Sequence, residues 1–252
     1  MELTTTRLIG FLALFVPIAA MAQGPAIARP ESAGSLAFAR YVASIQERDP
    51  FTESGPVLVE IDASLPGLYK QSRVLAIRQT GDSERSGYLV LQLAGDAIVM
   101  QEVVVRYLKL EEHVENLPFS SVAITPENYR FRHLGQVGND GAPVHVFRIV
   151  PKKKRDGLIQ GQLWIDSVTG AEVLQSGHLV KTPSDFAGRV EIVRDTKLLN
   201  GQPCIRMTHV AIETRRAGRG ELTITEIPLA GNGEGSENPR LDPQTKLMSL
   251  QR

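Results

Sequence analysis

The chain has only one cysteine among its 252 residues, and a single thiol cannot close an intramolecular disulfide. Cys204 stands in a strand-like run, where a lone cysteine most often packs as a small hydrophobic side chain. No basic partner is evident near it that would activate the thiol as a nucleophile. The sequence therefore disfavours both a disulfide-stapled scaffold and cysteine chemistry.

The chain also has no excess of charge of either sign. Its 28 Lys and Arg residues balance 28 Asp and Glu residues, so the formal net charge is zero at pH 7. Nucleic-acid-binding domains usually carry a basic excess on one face, and a nucleic-acid partner is therefore not expected. Hydrophobic residues make up 42% of the chain, which suits a globular protein large enough to bury a core.

Sequence signatures of catalysis are also missing. No glycine-rich phosphate loop and no nucleophile elbow stands in a convincing context. Asp166 and Glu172 flank a Thr-Gly turn and could act as a carboxylate pair, but an Asp at a hairpin start more often caps the turn. The histidines are too far apart for the close spacing of metal ligands: His113, His133, His145, His178 and His209. We therefore expect no enzymatic activity, no cofactor and no metal.

The first 22 residues are typical of a cleaved export signal. Arg7 precedes an apolar run at residues 8–16, and Ala20-Met21-Ala22 has the A-x-A pattern of a signal-peptidase site. The alternative is a retained anchor helix, but the apolar run is too short to span a bilayer comfortably. The sequence predicts a mature chain that begins at Gln23, has a flexible lead-in at residues 23–35, and is exported to the periplasm of a Gram-negative-type bacterium.

Hydrophobic periodicity predicts two helices and about ten strands. An amphipathic helix is expected at residues 36–47, with Ser32 or Ser35 as its N-cap. A second is expected at residues 97–112 after an N-cap at Asp96, although Val103-Val104-Val105 suits a strand equally well. Strands are expected within residues 57–62, 69–78, 88–93, 119–137, 144–150, 158–165, 171–180, 189–194, 204–214 and 221–227, and a disordered tail at 228–252.

The clearest structural signal is the stretch at residues 144–182. Three apolar runs are separated by two turn clusters, at residues 151–157 and 166–170, which is typical of an antiparallel meander. Further along, Asn200-Gly201 predicts a tight hairpin of type I′ geometry.

Residues 145–173, HVFRIVPKKKRDGLIQGQLWIDSVTGAEV, resemble the bacterial outer-membrane lipoprotein-sorting family, the LolA/LolB-like proteins. In that family a strand ends in Pro plus a basic turn, and its hairpin partner carries Trp-(Ile/Val)-Asp followed by Thr-Gly. Here those positions are Trp164, Asp166 and Gly170, which shape a hairpin rather than perform chemistry. The helix after Gly95-Asp96 also resembles the family, and the resemblance covers residues 36–227.

The resemblance implies an α+β fold: an incomplete, strongly curved antiparallel β-barrel of about ten or eleven strands, covered by two or more helices. Residues 36–227 would form this half-barrel domain. Its apolar lining would take acyl chains of a lipoprotein or another hydrophobic ligand, and the helices at 36–47 and 97–112 would act as a lid. The residues expected to line the cavity are Val59, Ile61, Leu75, Ile77, Leu89, Leu91, Phe147, Ile149, Trp164 and Met207.

Three functions remain open at this stage. The first is a non-catalytic periplasmic carrier or chaperone of the lipoprotein-sorting type. The second is an envelope sensing module of the same fold, in which ligand occupancy changes the affinity for a membrane-protein partner. Its contact surfaces would be the polar tail at residues 228–252 and the basic turn, which is either a solvated hairpin tip or a site for anionic groups. An envelope enzyme is the weakest of the three. The basic turn comprises Lys152, Lys153, Lys154 and Arg155.

Overall fold

The computed structural model describes residues 33–45, 51, 55–79, 87–138, 143–182, 184 and 186–229, all within the unit Glu31–Arg252. The predicted signal peptide, the lead-in up to residue 32 and the tail beyond residue 229 lie outside these residues. The predictions made for these three segments stay predictions.

Ten strands pair into one open antiparallel sheet. Along the chain they are β1 (Val57–Leu65), β2 (Lys70–Gln79), β3 (Gly87–Gly95), β4 (Tyr129–Val137), β5 (Val144–Pro151), β6 (Ile159–Asp166), β7 (Glu172–Leu179), β8 (Glu191–Leu199), β9 (Gln202–Thr214) and β10 (Gly218–Pro228). The order across the sheet is β3-β2-β1-β10-β9-β8-β7-β6-β5-β4, so β3 and β4 are its edges. The predicted fold class, an incomplete, curved antiparallel barrel covered by helices, is confirmed.

Three helices accompany the sheet in the described part of the chain, together with one 3-10 turn at Pro66–Leu68. They are α1 (Ala33–Ser44), α2 at residues 97–115 and α3 (Phe119–Val122). The helix α2 runs without a break through Ala97–Val99, a π-helical segment at Met100–Val105, and Arg106–Glu115. No helix among the described residues has the length and apolar character needed to cross a membrane.

The helix predictions are largely confirmed. Asp96 caps α2, because its Oδ1 accepts a hydrogen bond from the Ile98 amide at 2.7 Å. The valine triplet, which suited helix or strand, lies in the π-helical segment. The helix expected at 36–47 begins at Ala33, so Ser35 lies inside α1 and is not its N-cap.

The strand prediction was wrong at the start of residues 119–137. Residues Phe119–Val122 form α3, and the strand β4 begins only at Tyr129. The reason is a side-chain interaction that local propensity does not reveal. The Asn128 Nδ2 amide donates to the carbonyl oxygens of Ser120 and Ala123, both at 2.9 Å, and so fixes the helical turn against the strand entry.

The helices cover one face of the sheet, which we call the inner face. Helix α2 covers one part of it. Val99, Val103 and Tyr107 are buried there with the alternating inward side chains of β1, such as Val59. Val103 packs directly on Gly220 of β10, where an added Cβ would lie 2.8 Å from Val103 Cγ2.

Helix α1 covers another part of the inner face, over β4, β5 and β6. Phe38 and Tyr41 pack against Phe147, Ile149 and Leu163, and the ring centroids of Phe38 and Phe147 are 5.4 Å apart. The amphipathic pattern that predicted this helix is therefore explained by the surface it covers.

The predicted turns have the expected geometry. Asp166 Oδ1 accepts hydrogen bonds from the Val168 amide at 3.0 Å, and from the amide and hydroxyl of Thr169 at 2.7 and 2.8 Å. This confirms the turn-capping interpretation of Asp166. Asn200 and Gly201 have φ values of 52° and 80°, which match the type I′ hairpin predicted for this pair.

The sheet bends tightly where Gly161 of β6 pairs with Gly177 of β7. A Cβ added at Gly161 would collide with the carbonyl oxygen of Ser176, and one added at Gly177 would collide with the carbonyl oxygen of Gln160. The absence of side chains therefore lets two neighbouring backbones approach closely, as at the corners of curved sheets.

We expect Gly177→Ala to destabilise the protein by about 2–3 kcal/mol, because the new methyl group must displace a strand backbone. The matched control is Gly67→Ala, where an added Cβ meets nothing within 4 Å and stability should hold or rise slightly. Urea unfolding midpoints at constant m-value measure both. Equal midpoints for the two variants would contradict a tight corner.

Candidate ligand-binding cavity

A cavity of about 690 Å³ lies between the three helices and the inner face of the sheet. It occupies the space that α1 and α2 leave uncovered over β6, β7, β8 and β9. Its lining consists of an apolar half and a polar half.

The apolar half comes mainly from the helices and from inward strand positions. Leu110 and Val114 of α2 contribute one wall, and Ile45 follows the end of α1. The Tyr129 hydroxyl accepts a hydrogen bond from the Ile159 amide at 3.1 Å, which holds the wall of this half in place. Further apolar lining residues are Val122, Ile124, Leu179 and Ile192.

The polar half includes a row of side chains across neighbouring strands. Strand register places Gln175, Arg194 and Thr208 side by side on β7, β8 and β9. The same row continues into Leu163 on one side and Ile224 on the other, both buried and apolar. Three polar side chains therefore interrupt an apolar row of the inner face, and Gln175 and Arg194 line the cavity.

The helix α2 places Glu111 and Tyr107 in the same part of the cavity. Burial is the main cause that raises the pKa of Glu111 to about 7, and the nearby charge of Glu226 raises it further. The charge of Arg194 and a hydrogen bond with Tyr107 act in the opposite direction. The carboxyl group of Glu111 therefore changes charge near neutral pH.

The charge of Arg194 is held by its surroundings. Burial disfavours the guanidinium charge, but Tyr107, Glu172, Glu111 and Glu226 together keep the pKa of Arg194 above its ordinary value. Arg194 therefore stays a cation, and its part of the cavity can hydrogen-bond an acceptor group of a ligand.

A buried ion pair lies on the inner face next to the polar half. Arg78 Nη1 lies 2.8 Å from Glu226 Oε1, and both side chains are about one-tenth exposed. Arg78 Nη2 also donates to the carbonyl oxygen of Phe51 at 2.6 Å. Arg206 lies over the Phe51 ring, with its guanidinium carbon 4.1 Å from the centroid. These contacts hold Phe51 against the sheet.

None of the ten residues predicted to line a hydrophobic cavity is among the residues that line this one. Val59 and Ile61 face inward but are buried beneath α2, and Phe147 and Ile149 are buried beneath α1. Helix side chains fill the inner face at these positions, so the open space lies further along the sheet.

The other six predicted residues lie on the outer face or on the edge strand. Register places Trp164, Met207 and Leu75 in one transverse row of the outer face, all half-buried, and Ile77 follows two positions after Leu75. Leu89 and Leu91 lie on β3 and are 52% and 51% exposed. Alternation could not identify the inner face, because both faces of these strands look apolar in sequence. Ligand contact by any of the ten stays a prediction.

The predicted basic turn is divided between structural and exposed side chains. Lys152 Nζ donates to the carbonyl oxygen of Pro126 at 2.5 Å, and Arg155 Nη2 donates to Asn128 Oδ1 at 2.6 Å. Lys153 and Lys154 are exposed. Contact of this turn with a partner stays a prediction.

One histidine pair was missed by sequence reasoning. His133 Nε2 lies 3.2 Å from His145 Nδ1, because register sets β4 beside β5 and the two rings meet under α1. No group of three or more potential metal ligands occurs among the residues that the structure describes.

Comparison with known proteins gives structural likeness only. No protein-family model and no curated protein matches the chain. The crystal structure of a LolA superfamily protein from Nitrosomonas europaea aligns with 78% of this chain and 94% of its own, at 13% identity and a TM-score of 0.33.

The crystal structure of MucB is also similar. It aligns with 77% of this chain and 94% of its own, at 10% identity and a TM-score of 0.27. MucB in complex with MucA(peri) aligns with 77% of this chain and 92% of its own, at 11% identity and a TM-score of 0.20. Likenesses at these values carry no argument about function, which must come from the cavity.

We expect Glu111→Gln to flatten the pH dependence of stability. The folded-state pKa of Glu111 is raised from about 4.5 to about 7, so its contribution is fully present below pH 4.5 and is lost as the pH rises to 7. We compare the free energy of unfolding of the variant with that of the wild type at each pH. This difference should favour the variant more at pH 8 than at pH 5, by on the order of 1–3 kcal/mol.

Urea unfolding at both pH values measures this difference. The matched control is Glu112→Gln at the exposed neighbouring position, which should keep the wild-type pH dependence. If Glu111→Gln and the wild type change equally with pH, the carboxyl group is not held in a desolvated site.

Proposed function

We propose that the protein is an exported, non-catalytic binding protein whose cavity takes a hydrophobic or lipidated ligand. The observation that supports this most strongly is the cavity of about 690 Å³ between the helices and the sheet, with its apolar half. Small-molecule sites usually have volumes of about 300–1,000 Å³ and are lined mainly by apolar side chains. Burial of an acyl chain there would contribute about 0.8 kcal/mol per methylene group.

In this proposal the protein is a periplasmic carrier of the lipoprotein-sorting type, and α1 and α2 act as its lid. The contacts of α1 suit that role, because its buried side chains pack on the sheet through apolar surface. Arg40 Nη1 donates to the carbonyl oxygen of Ser167 at 2.6 Å, and the Tyr41 hydroxyl donates to the carbonyl oxygen of Ile124 at 3.2 Å. Tyr41 also lines the cavity, so a ligand would touch the helix directly.

A sensing module is the second candidate, and one contact favours it. Gly157, two residues after the basic turn, packs against the cavity wall, because an added Cβ there would lie 3.1 Å from a methyl carbon of Val114 and of Val122. A ligand that displaces α2 or α3 would therefore shift the exposed Lys153 and Lys154, which a protein partner could read. Loss of partner capture on charge reversal of both lysines would separate this module from a simple carrier.

We expect Val114→Glu to weaken binding of a neutral single-chain probe, hexadecanol, by about tenfold or more, because it buries a carboxylate in the apolar half. The matched control is Val168→Glu, at a 64% exposed turn position outside the cavity lining. Native mass spectrometry with added hexadecanol measures binding, and thermal melts check folding. Equal binding by both variants would show that the apolar chain does not enter this cavity.

A further inference from the structure

Arg194 is a charged donor with weak partners. It donates from Nε to Thr208 Oγ1 and from Nη1 to Gln175 Oε1, and both distances are 3.5 Å, longer than is usual for N–H···O bonds. Within the described part of the chain, Arg194 forms no ion pair with a carboxylate. A guanidinium carries more N–H donors than these two bonds use, so several remain available.

Arg194 lines the cavity, so its open donors lie where a ligand can reach them. Arg194 lies on the inner face. The transverse row that contains it continues to Leu163 on one side and to Ile224 on the other, and both are buried and apolar. The surrounding carboxylates offset the loss of water around this cation, and a bound acceptor oxygen would use the N–H groups that the two long bonds leave open. Its planar fork matches carboxylate and phosphate oxygens, which it can bind through two parallel hydrogen bonds.

We propose that Arg194 binds the anionic headgroup of the cavity's ligand, a carboxylate or phosphate at the end of a single apolar chain. The chain would lie in the apolar half, and the headgroup would meet Arg194 with the Gln175 amide beside it. This inference rests on the proposed function and deepens it by naming the chemical class of the ligand. It also assigns a specificity-determining residue to the cavity.

The carboxylates around the headgroup site set its pH dependence. Glu111 and Glu115 face it from α2, Glu172 from β7 and Glu226 from β10, while Arg206 faces it from β9. Protonation of Glu111 removes one negative charge and adds an O–H donor. Anion binding therefore favours protonated Glu111, and the affinity for an anion rises as the pH falls from 8 to 6.

The test uses four amphiphiles with the same sixteen-carbon chain: palmitate, hexadecyl phosphate, hexadecanol and hexadecyltrimethylammonium. We expect the mature full-length protein to bind both anions about tenfold or more tightly than hexadecanol, as a charge-assisted hydrogen bond would give. Arg194→Gln should remove that preference, so that the two anions and hexadecanol bind the variant with similar affinity. The matched control is Arg148→Gln, at an exposed position on β5 outside the cavity lining, which should keep the preference.

A pH series with hexadecyl sulfate, which keeps its charge between pH 6 and pH 8, tests the role of Glu111. Affinity should rise toward pH 6 in the wild type and stay level in Glu111→Gln. A difference between palmitate and hexadecyl phosphate would show which anionic headgroup the site prefers.

The outcomes separate the two proposals. If hexadecanol binds as tightly as the anions, the headgroup assignment is wrong and the hydrophobic cavity stands. If the ammonium amphiphile binds most tightly, the surrounding carboxylates select the ligand and Arg194 does not. If none of the four binds to the wild type, the proposed function itself is wrong.

Discussion

The packing of α2 against the inner face of the sheet is the interaction on which the rest of the structure depends. Val103 and Tyr107 bury the inward side chains of the strands on both sides of the β1–β10 pair. A strongly curved sheet presents a broad apolar surface, and without this helix that surface would meet water. The position of α2 also determines which part of the inner face stays uncovered, and that uncovered part is the cavity.

The cavity combines an apolar half with a row of polar side chains. Its apolar half would suit a hydrophobic chain alone, but the neighbouring row carries Gln175, Arg194 and Thr208. A nearby arginine has closer partners than Arg194 has. Arg78 is paired with Glu226 and bound to the carbonyl oxygen of Phe51, whereas the bonds of Arg194 are long. This contrast within one sheet face is the physical basis for assigning Arg194 to a ligand.

Much of the architecture could be predicted from local sequence. Alternation identified most strands, Asp96 indicated the start of α2, and Asn200-Gly201 indicated a hairpin, because each signal depends on residues a few positions apart. The basic turn shows the limit of such reasoning. Its composition suggested a solvated tip, yet Lys152 and Arg155 bind the segment before β4, which is distant in the chain.

The sequence by itself determined the strands, the turns and the amphipathic helices, since each follows from short-range periodicity and turn chemistry. Only the tertiary structure decided the site. Gln175, Arg194 and Thr208 become neighbours through strand register, and Glu111 joins them through the packing of a helix. Trp164, predicted to line a cavity, lies on the outer face of the sheet, and its contact with a ligand stays a prediction. Strands with two apolar faces carry no local mark of which face turns inward, and helix packing settles that choice.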